Sequence, residues 1–203
     1  MGREPNGSES RAPWLLLAGG APASGKTRLA QQLAAHYDAA LCSKDELKEI
    51  LFETLGSGAV SPSTDASSEA FALWSRRLSD ASFALLFRFA ERLLRAERMV
   101  LLEGNFRPGE HEAVLAPLLS RTRARLIQVL CEASMATRTA RLAARAGDPH
   151  RHRVHLDVRI DASRPAPGFL ALPGPTLRFD SDRSETDALA SLLSELDRAL
   201  VPA

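Results

Sequence analysis

The stretch GGAPASGKT, residues 19–27, contains the spacing Gly20-x-x-x-x-Gly25-Lys26-Thr27. These residue types at this spacing suit the binding of phosphate. Glycines let backbone N–H groups close around phosphate oxygens without side-chain obstruction. A helix starting near Lys26 would add the positive end of its dipole. Lys26 is expected on the β- and γ-phosphates and the Thr27 hydroxyl on Mg²⁺. Gly20, Ala21, Pro22, Ala23, Ser24, Gly25, Lys26, Thr27 and Arg28 then form a nucleotide-binding segment, with ATP and Mg²⁺ as the expected cofactors.

Holding phosphate is common to motors, switches and phosphotransferases. Three further groups bear on the choice. In Ser43-Lys44-Asp45-Glu46-Leu47-Lys48, Asp45 is a candidate to accept the proton of an attacking hydroxyl. Asp45 or Ser43 can instead cap the helix that follows, and capping is compatible with catalysis. Lys48 lies one helical turn after Asp45 and is a candidate substrate contact, although Lys44 and Lys48 read equally well as solvated lysines. In Arg138-x-x-Arg141-x-x-x-Arg145 the spacing puts three arginines on one helical face. Like charges so stacked repel unless an anion lies among them, and Arg makes rigid bidentate contacts to phosphate oxygens. Arg141 and Arg145 are read as catalytic and Arg138 as nucleotide-binding, against the alternative of a solvated face in an Arg-rich chain. In Glu103-Gly104-Asn105-Phe106-Arg107, Glu103 would serve the metal, by orienting a Mg²⁺-bound water, or contact the substrate. Asn105 and Arg107 are candidate acceptor contacts, and a solvated Arg107 is an equal reading.

Two absences narrow the class. No Asn-Lys pair occurs, so the guanine clamp of a GTPase switch is missing. The third apolar run ends in the single carboxylate Glu103 rather than the pair usual in a motor ATPase. A small kinase remains.

The elements that must position these residues can be read from hydrophobic patterning. Apolar runs at 14–18, 39–42, 99–102, 125–131 and 175–179 read as strands. Helical periodicity covers 26–37, 45–55, part of 69–97, 110–119, 134–146 and 185–200. Strand alternating with helix implies right-handed βαβ units and a parallel sheet covered on both faces. Each strand is followed by polar residues, and in such sheets the ligand crevice lies beyond the carboxyl ends of the strands. Five separate segments therefore converge on one site. Residues 56–68 read as a loop, and 138–172 as a helical lid.

The chain has 203 residues, enough for one domain, taken as 13–203 after a polar tail at 1–12. Net charge is +1 and aromatic content 5%, so a strongly basic nucleic-acid surface is not indicated. The only lysines are Lys26, Lys44 and Lys48, all near the phosphate loop. Cys42 and Cys131 read as small buried hydrophobes. No apolar run approaches a membrane span and no signal-peptide core is present, so a cytoplasmic location without membrane partners is expected, as monomer or homodimer. His150, His152 and His155 are read as lid or loop residues more than as a metal site. Trp74, Leu78, Phe83, Leu86, Phe89 and Leu93 read as core, whereas Phe71 and Trp74 can alternatively line a substrate pocket.

GAPASGKT, SKDELK, LLEGNF, RTARLAAR and GPTLRFDSD together resemble the small phosphate-loop kinases. The closest likeness is to the branch holding polynucleotide 5′-kinase domains, zeta-toxin-like kinases and bacterial AAA-family ATP-binding kinases. The resemblance implies a three-layer α/β/α sandwich with a five-stranded parallel sheet in the order 2-3-1-4-5 and a mobile lid. It implies Asp45 as general base, in a pattern like Lys44-Asp45-x-x-Lys48, and Arg145 as a contact to the transferring phosphate. The pattern departs at Lys48, where polynucleotide kinases carry Arg. The expectation is ATP- and Mg²⁺-dependent phosphate transfer to a hydroxyl of a small metabolite, nucleoside or antibiotic. A polynucleotide 5′-hydroxyl and a regulatory or toxin-like nucleotide-binding module are the alternatives.

Overall fold

β1 (Trp14–Gly20) is apolar along its length because both of its faces are covered. Its alternation divides the core. Leu15 and Leu17 enter one cluster with Leu102, Phe83, Leu86, Leu94, Leu115 and Leu118. Trp14, Leu16 and Ala18 enter the other with Leu29, Leu33, Leu101, Ile127, Val129, Leu192 and Leu196. The computed structural model describes residues 12–55, 69–96, 98–146, 152, 154 and 168–201. The elements after β1 are α1 (Lys26–Tyr37), β2 (Ala40–Ser43), α2 (Lys44–Leu55), α3 (Glu69–Arg95), β3 (Val100–Glu103), α4 (Glu112–Thr122), β4 (Arg125–Glu132), α5 (Met135–Ala146), β5 (Thr176–Asp180) and α6 (Glu185–Leu200).

The strands form one five-stranded sheet in the order β2-β3-β1-β4-β5, every pair parallel. This is the expected three-layer arrangement. α3 and α4 supply one cluster, and α1 and α6 the other. α3 buries Phe71, Ser75, Leu78, Ser82, Leu86, Ala90 and Leu94 at three- and four-residue spacings, with Ser79 buried beside them.

The strands run past the apolar residues that announce them, and this positions the site. The ladder continues through the polar residue closing each run, pairing Ser43 with Glu103 and Glu132 with Asp180. β1 likewise extends to Gly19 and Gly20, opposite Leu130 and Cys131. The fifth strand starts one residue later than its apolar run, because Pro175 contributes only a carbonyl, to the Gln128 N–H at 2.9 Å. α4 also begins later than expected. The Arg107 N–H donates to His111 Nδ1 at 2.7 Å, and residues 107–111 form a turn instead.

Of the expected lid, α5 and the segment 168–172 are described. Apart from His152 and Val154 the rest, with His150 and His155, lies outside the described residues, as do the expected loop at 56–68 and the tail up to residue 11. Segment 168–172 is pinned by side chains imitating backbone. The buried Gln128 amide donates to the Leu170 carbonyl at 3.1 Å and accepts the Leu170 N–H at 2.9 Å. Glu112 accepts the Ala171 N–H at 3.0 Å.

Candidate active site

The loop between β1 and α1 is built from backbone that ordinary residues avoid. Gly20 has φ +147°, and a Cβ there would lie 2.4 Å from the Cys131 carbonyl oxygen. Gly25 has φ +96° and Ala23 φ 62°. Neighbouring elements tie down the carbonyls of this loop. Arg138 Nε donates to the Pro22 carbonyl at 3.1 Å, and Arg141 Nη1 to that of Ala23 at 3.2 Å. The Ser24 carbonyl accepts from Ser181 Oγ at 2.7 Å and from Cys131 Sγ at 3.1 Å. Carbonyls held outward leave the amide groups for the concave side. Together with the unpaired first-turn N–H groups of α1 they make an anion cradle.

This places two of the three arginines. Arg141 also bonds the hydroxyl of Ser181 at 2.9 Å and its carbonyl at 3.1 Å. Arg138 and Arg141 thus spend donors on neutral groups of the loop and of the turn after β5. Their charges, with Asp182 within electrostatic reach of Arg141, add positive potential behind the cradle. No anion is needed to explain their shared face. Arg145, one turn further along α5, is exposed, and no described residue bonds to it. Ser134 sets the start of α5: its Oγ accepts the Thr137 N–H at 3.2 Å, and its own N–H donates to Asp182 at 2.7 Å. The latter bond holds the Asp182 carboxyl below its usual range.

Thr27 and Glu103 meet in the crevice. Glu103 is 1% exposed. It accepts from Thr27 Oγ1 at 3.4 Å and from Ser43 Oγ at 2.7 Å, and Lys26 Nζ lies 3.8 Å away. Burial pushes the Glu103 carboxyl above its ordinary value, against the pull of Lys26 and Ser43. One hydroxyl and one carboxylate suit Mg²⁺, which keeps several waters and takes further oxygens from nucleotide phosphates. The residues present therefore fit a Mg–nucleotide pair. Among the described residues no group of three or more His, Cys, Asp or Glu gathers to hold a metal by protein ligands alone. Arg28 turns away from the loop, pairing with Glu185 of α6 at 2.6 Å with its side chain 73% exposed.

Across the crevice lies the start of α2. Asp45, 39% exposed in its side chain, is 3.0 Å from Lys44 Nζ. All three lysines of the chain are buried, at 6% exposure each. Lys48 donates to Ser75 Oγ at 2.7 Å, which in turn donates to the Val154 carbonyl at 3.3 Å. Burial, and then the neighbouring charge of Lys44, pushes the Lys48 ammonium down to about 8. The solvated reading of Lys44 and Lys48 therefore does not describe them. Asn105 is half-buried, and its Oδ1 has no hydrogen-bond partner among the described residues. Arg107 is exposed, pairs with Glu110 at 2.8 Å and lines a groove of about 460 Å³ between α3 and α4 with Phe83, Phe87 and His111. Phe71 is buried, edge-on to Phe52. His152 accepts the Val154 N–H at 3.2 Å and sits 3.5 Å from Glu53.

The structure thus brings Lys26, Thr27, Glu103, Lys44, Asp45 and Lys48 to one end of the sheet. It sets Arg138 and Arg141 behind the loop and Arg28 outside it. From sequence Ser43 was read only as a possible helix cap, and Ser181 was assigned no role. Both stand in the short polar runs that follow strands, which is the signal that marks them.

No helix among the described residues is long and apolar enough to cross a membrane. No curated protein matches the sequence. A solved candidate kinase from Chloroflexus aurantiacus is similar, at 28% identity and TM-score 0.79 over 94% of this chain and 100% of that one. A sugar kinase from Janibacter sp. (15%, TM-score 0.58, 91% and 95% covered) and the Mycobacterium tuberculosis APS kinase bound to AMPPNP and APS (19%, 0.53, 92% and 98%) share the fold. The AAA domain family model AAA_33 matches residues 15–163. With that match, its nucleotide-binding loop and its small-kinase fold, the chain belongs to the AAA_33 family of AAA domains.

Proposed function

We propose that this protein transfers the γ-phosphate of ATP, with Mg²⁺, to a hydroxyl of a small molecule, nucleoside or antibiotic-like acceptor. The observation that carries the reading is Asp45. It is a partly exposed carboxylate in the first turn of α2, just past β2, beside the buried Lys44 and Lys48 and within electrostatic reach of Glu103.

The division of labour follows from placement. Lys26 and the loop amides bind the phosphates. Thr27 and Glu103 would hold Mg²⁺, which when bound neutralises charge on the phosphate oxygens. Asp45 accepts the proton of the acceptor hydroxyl as its oxygen bonds to the γ-phosphorus and the bond to ADP breaks. Arg138 and Arg141 keep the loop in shape and lend it positive potential. Arg145, the exposed arginine of α5, reaches the transferring group when acceptor and nucleotide are both present. Lys48, Asn105 and Arg107 contact the acceptor. Catalysis on this plan is positioning plus electrostatics, with no covalent intermediate.

The test is incubation of the full chain with γ-labelled ATP, Mg²⁺ and a panel of hydroxyl compounds including sugars, nucleosides, aminoglycosides and a 5′-hydroxyl oligonucleotide. Label passing to one class and depending on Mg²⁺ is expected. Tight ATP binding with no acceptor ever labelled would favour the regulatory alternative.

A further inference from the structure

Lys44 has no part in the scheme so far, yet it is among the most constrained side chains of the crevice. It stands first in α2, is 6% exposed, and its Nζ lies 3.0 Å from Asp45 Oδ1. Its stem is held on two sides. A Cβ placed on Gly104 would lie 3.3 Å from Lys44 Cβ and 3.4 Å from the Phe83 ring. The missing side chain at 104, directly after Glu103, is therefore what gives Lys44 its room. Its ammonium also lies 5.9 Å from the centroid of that ring. An exposed lysine beside an aspartate would swing freely and contribute little. A buried one, fixed at its stem, holds its charge at one place.

We propose that Lys44 is a positioning residue for Asp45: it fixes the orientation of the carboxylate and keeps it ionised until the acceptor hydroxyl arrives. The inference rests on the reading of Asp45 as the proton acceptor. The charged groups around Asp45 among the described residues include Lys44 and Lys48 on α2 and Glu103 at the end of β3. Glu103 opposes ionisation of Asp45, and the two lysines favour it. Lys48 spends its hydrogen bond on Ser75, so Lys44 is the lysine in direct contact. When Asp45 takes the acceptor's proton, its charge is cancelled and the Lys44 ammonium loses that counter-charge within the crevice. Its field then acts on the phosphoryl group in transit.

The experiment uses the full chain with Lys44→Met and Lys44→Arg, each checked for native circular dichroism. The Asp45 carboxyl is titrated by ¹³C NMR, assigned by its disappearance in Asp45→Asn, and kcat/KM is measured against pH. Removing a cation in direct contact moves a carboxylate titration by about 1–3 pH units. Lys44→Met should shift the Asp45 titration and the acidic limb of kcat/KM upward together by at least about one unit. It should lower kcat about tenfold or more and leave KM for ATP within about twofold. Lys44→Arg should restore most of the pH shift. An unchanged Asp45 titration in Lys44→Met overturns the proposal, and so does a loss confined to KM for ATP, which would make Lys44 a phosphate ligand. If Lys44→Met does not fold, the Lys44→Arg titration decides, a shift as large as expected for Met counting against the proposal. Full transfer by Asp45→Asn would remove the base assignment itself, a result separate from the NMR titration.

Discussion

Replacing Lys48 by Met should make the protein more stable at pH 7 and less active. Lys48 is buried, and its hydrogen bond goes to the neutral Ser75 hydroxyl. Its ammonium is pushed from 10.5 down to about 8, by burial first and by Lys44 second. The folded state therefore binds this proton more weakly than the unfolded chain does. Below pH 8 both states are charged, and the fold bears the full unfavourable difference. Between pH 8 and 10.5 the folded form loses its proton while the unfolded form keeps it, so stability rises with pH across that window. At 1.36 kcal/mol per pH unit the difference is about 3 kcal/mol. Methionine keeps the apolar stem and removes the charge. Loss of the bond to Ser75 returns about 1 kcal/mol, leaving a net gain of about 2 kcal/mol at pH 7. Urea unfolding of both proteins at pH 7 and pH 10 is the assay. The gap should narrow as pH rises, while transfer activity stays impaired at both values. A variant less stable than the parent at pH 7, or a gap independent of pH, would refute the reasoning.

Other substitutions probe the remaining parts. Gly20→Ala forces a Cβ to 2.4 Å from the Cys131 carbonyl in a left-handed conformation; it should lower stability by about 1–3 kcal/mol and abolish ATP binding, read by thermal melts with and without nucleotide. Ser43→Ala leaves buried Glu103 short of its 2.7 Å donor; the half-saturating Mg²⁺ concentration should rise and stability fall by about 1–3 kcal/mol. Arg141→Ala releases the carbonyl of Ala23 and the turn at Ser181, so ATP affinity measured by calorimetry should fall about tenfold. Arg145→Ala should leave that affinity within about twofold and reduce kcat instead.

The strands and every helix were legible because each strand is a short apolar run closed by polar residues and each helix carries its own period, whereas the sheet order followed from the resemblance to the small phosphate-loop kinases. The strand ends were misjudged by a residue or two for the same reason: Ser43, Glu103 and Asp180 are polar, yet they remain in the ladder. The phosphate loop was legible because its backbone demands glycine at fixed places. The arginines of α5 were not. Their face was visible, but nothing in the sequence shows that the carbonyls of Pro22 and Ala23 turn toward them. The burial of Lys44 and Lys48 was hidden as well, since it depends on Phe83, Ser75 and the absent side chain of Gly104, which reach α2 only through the fold.

The central claim is that Asp45 takes the acceptor's proton. Its most direct test measures ATP binding and phosphate transfer side by side in the parent protein and in Asp45→Asn, with the acceptor that the panel identifies. The account predicts unchanged ATP affinity and a transfer rate lower by about 10²–10⁴. Undiminished transfer by Asp45→Asn would contradict it.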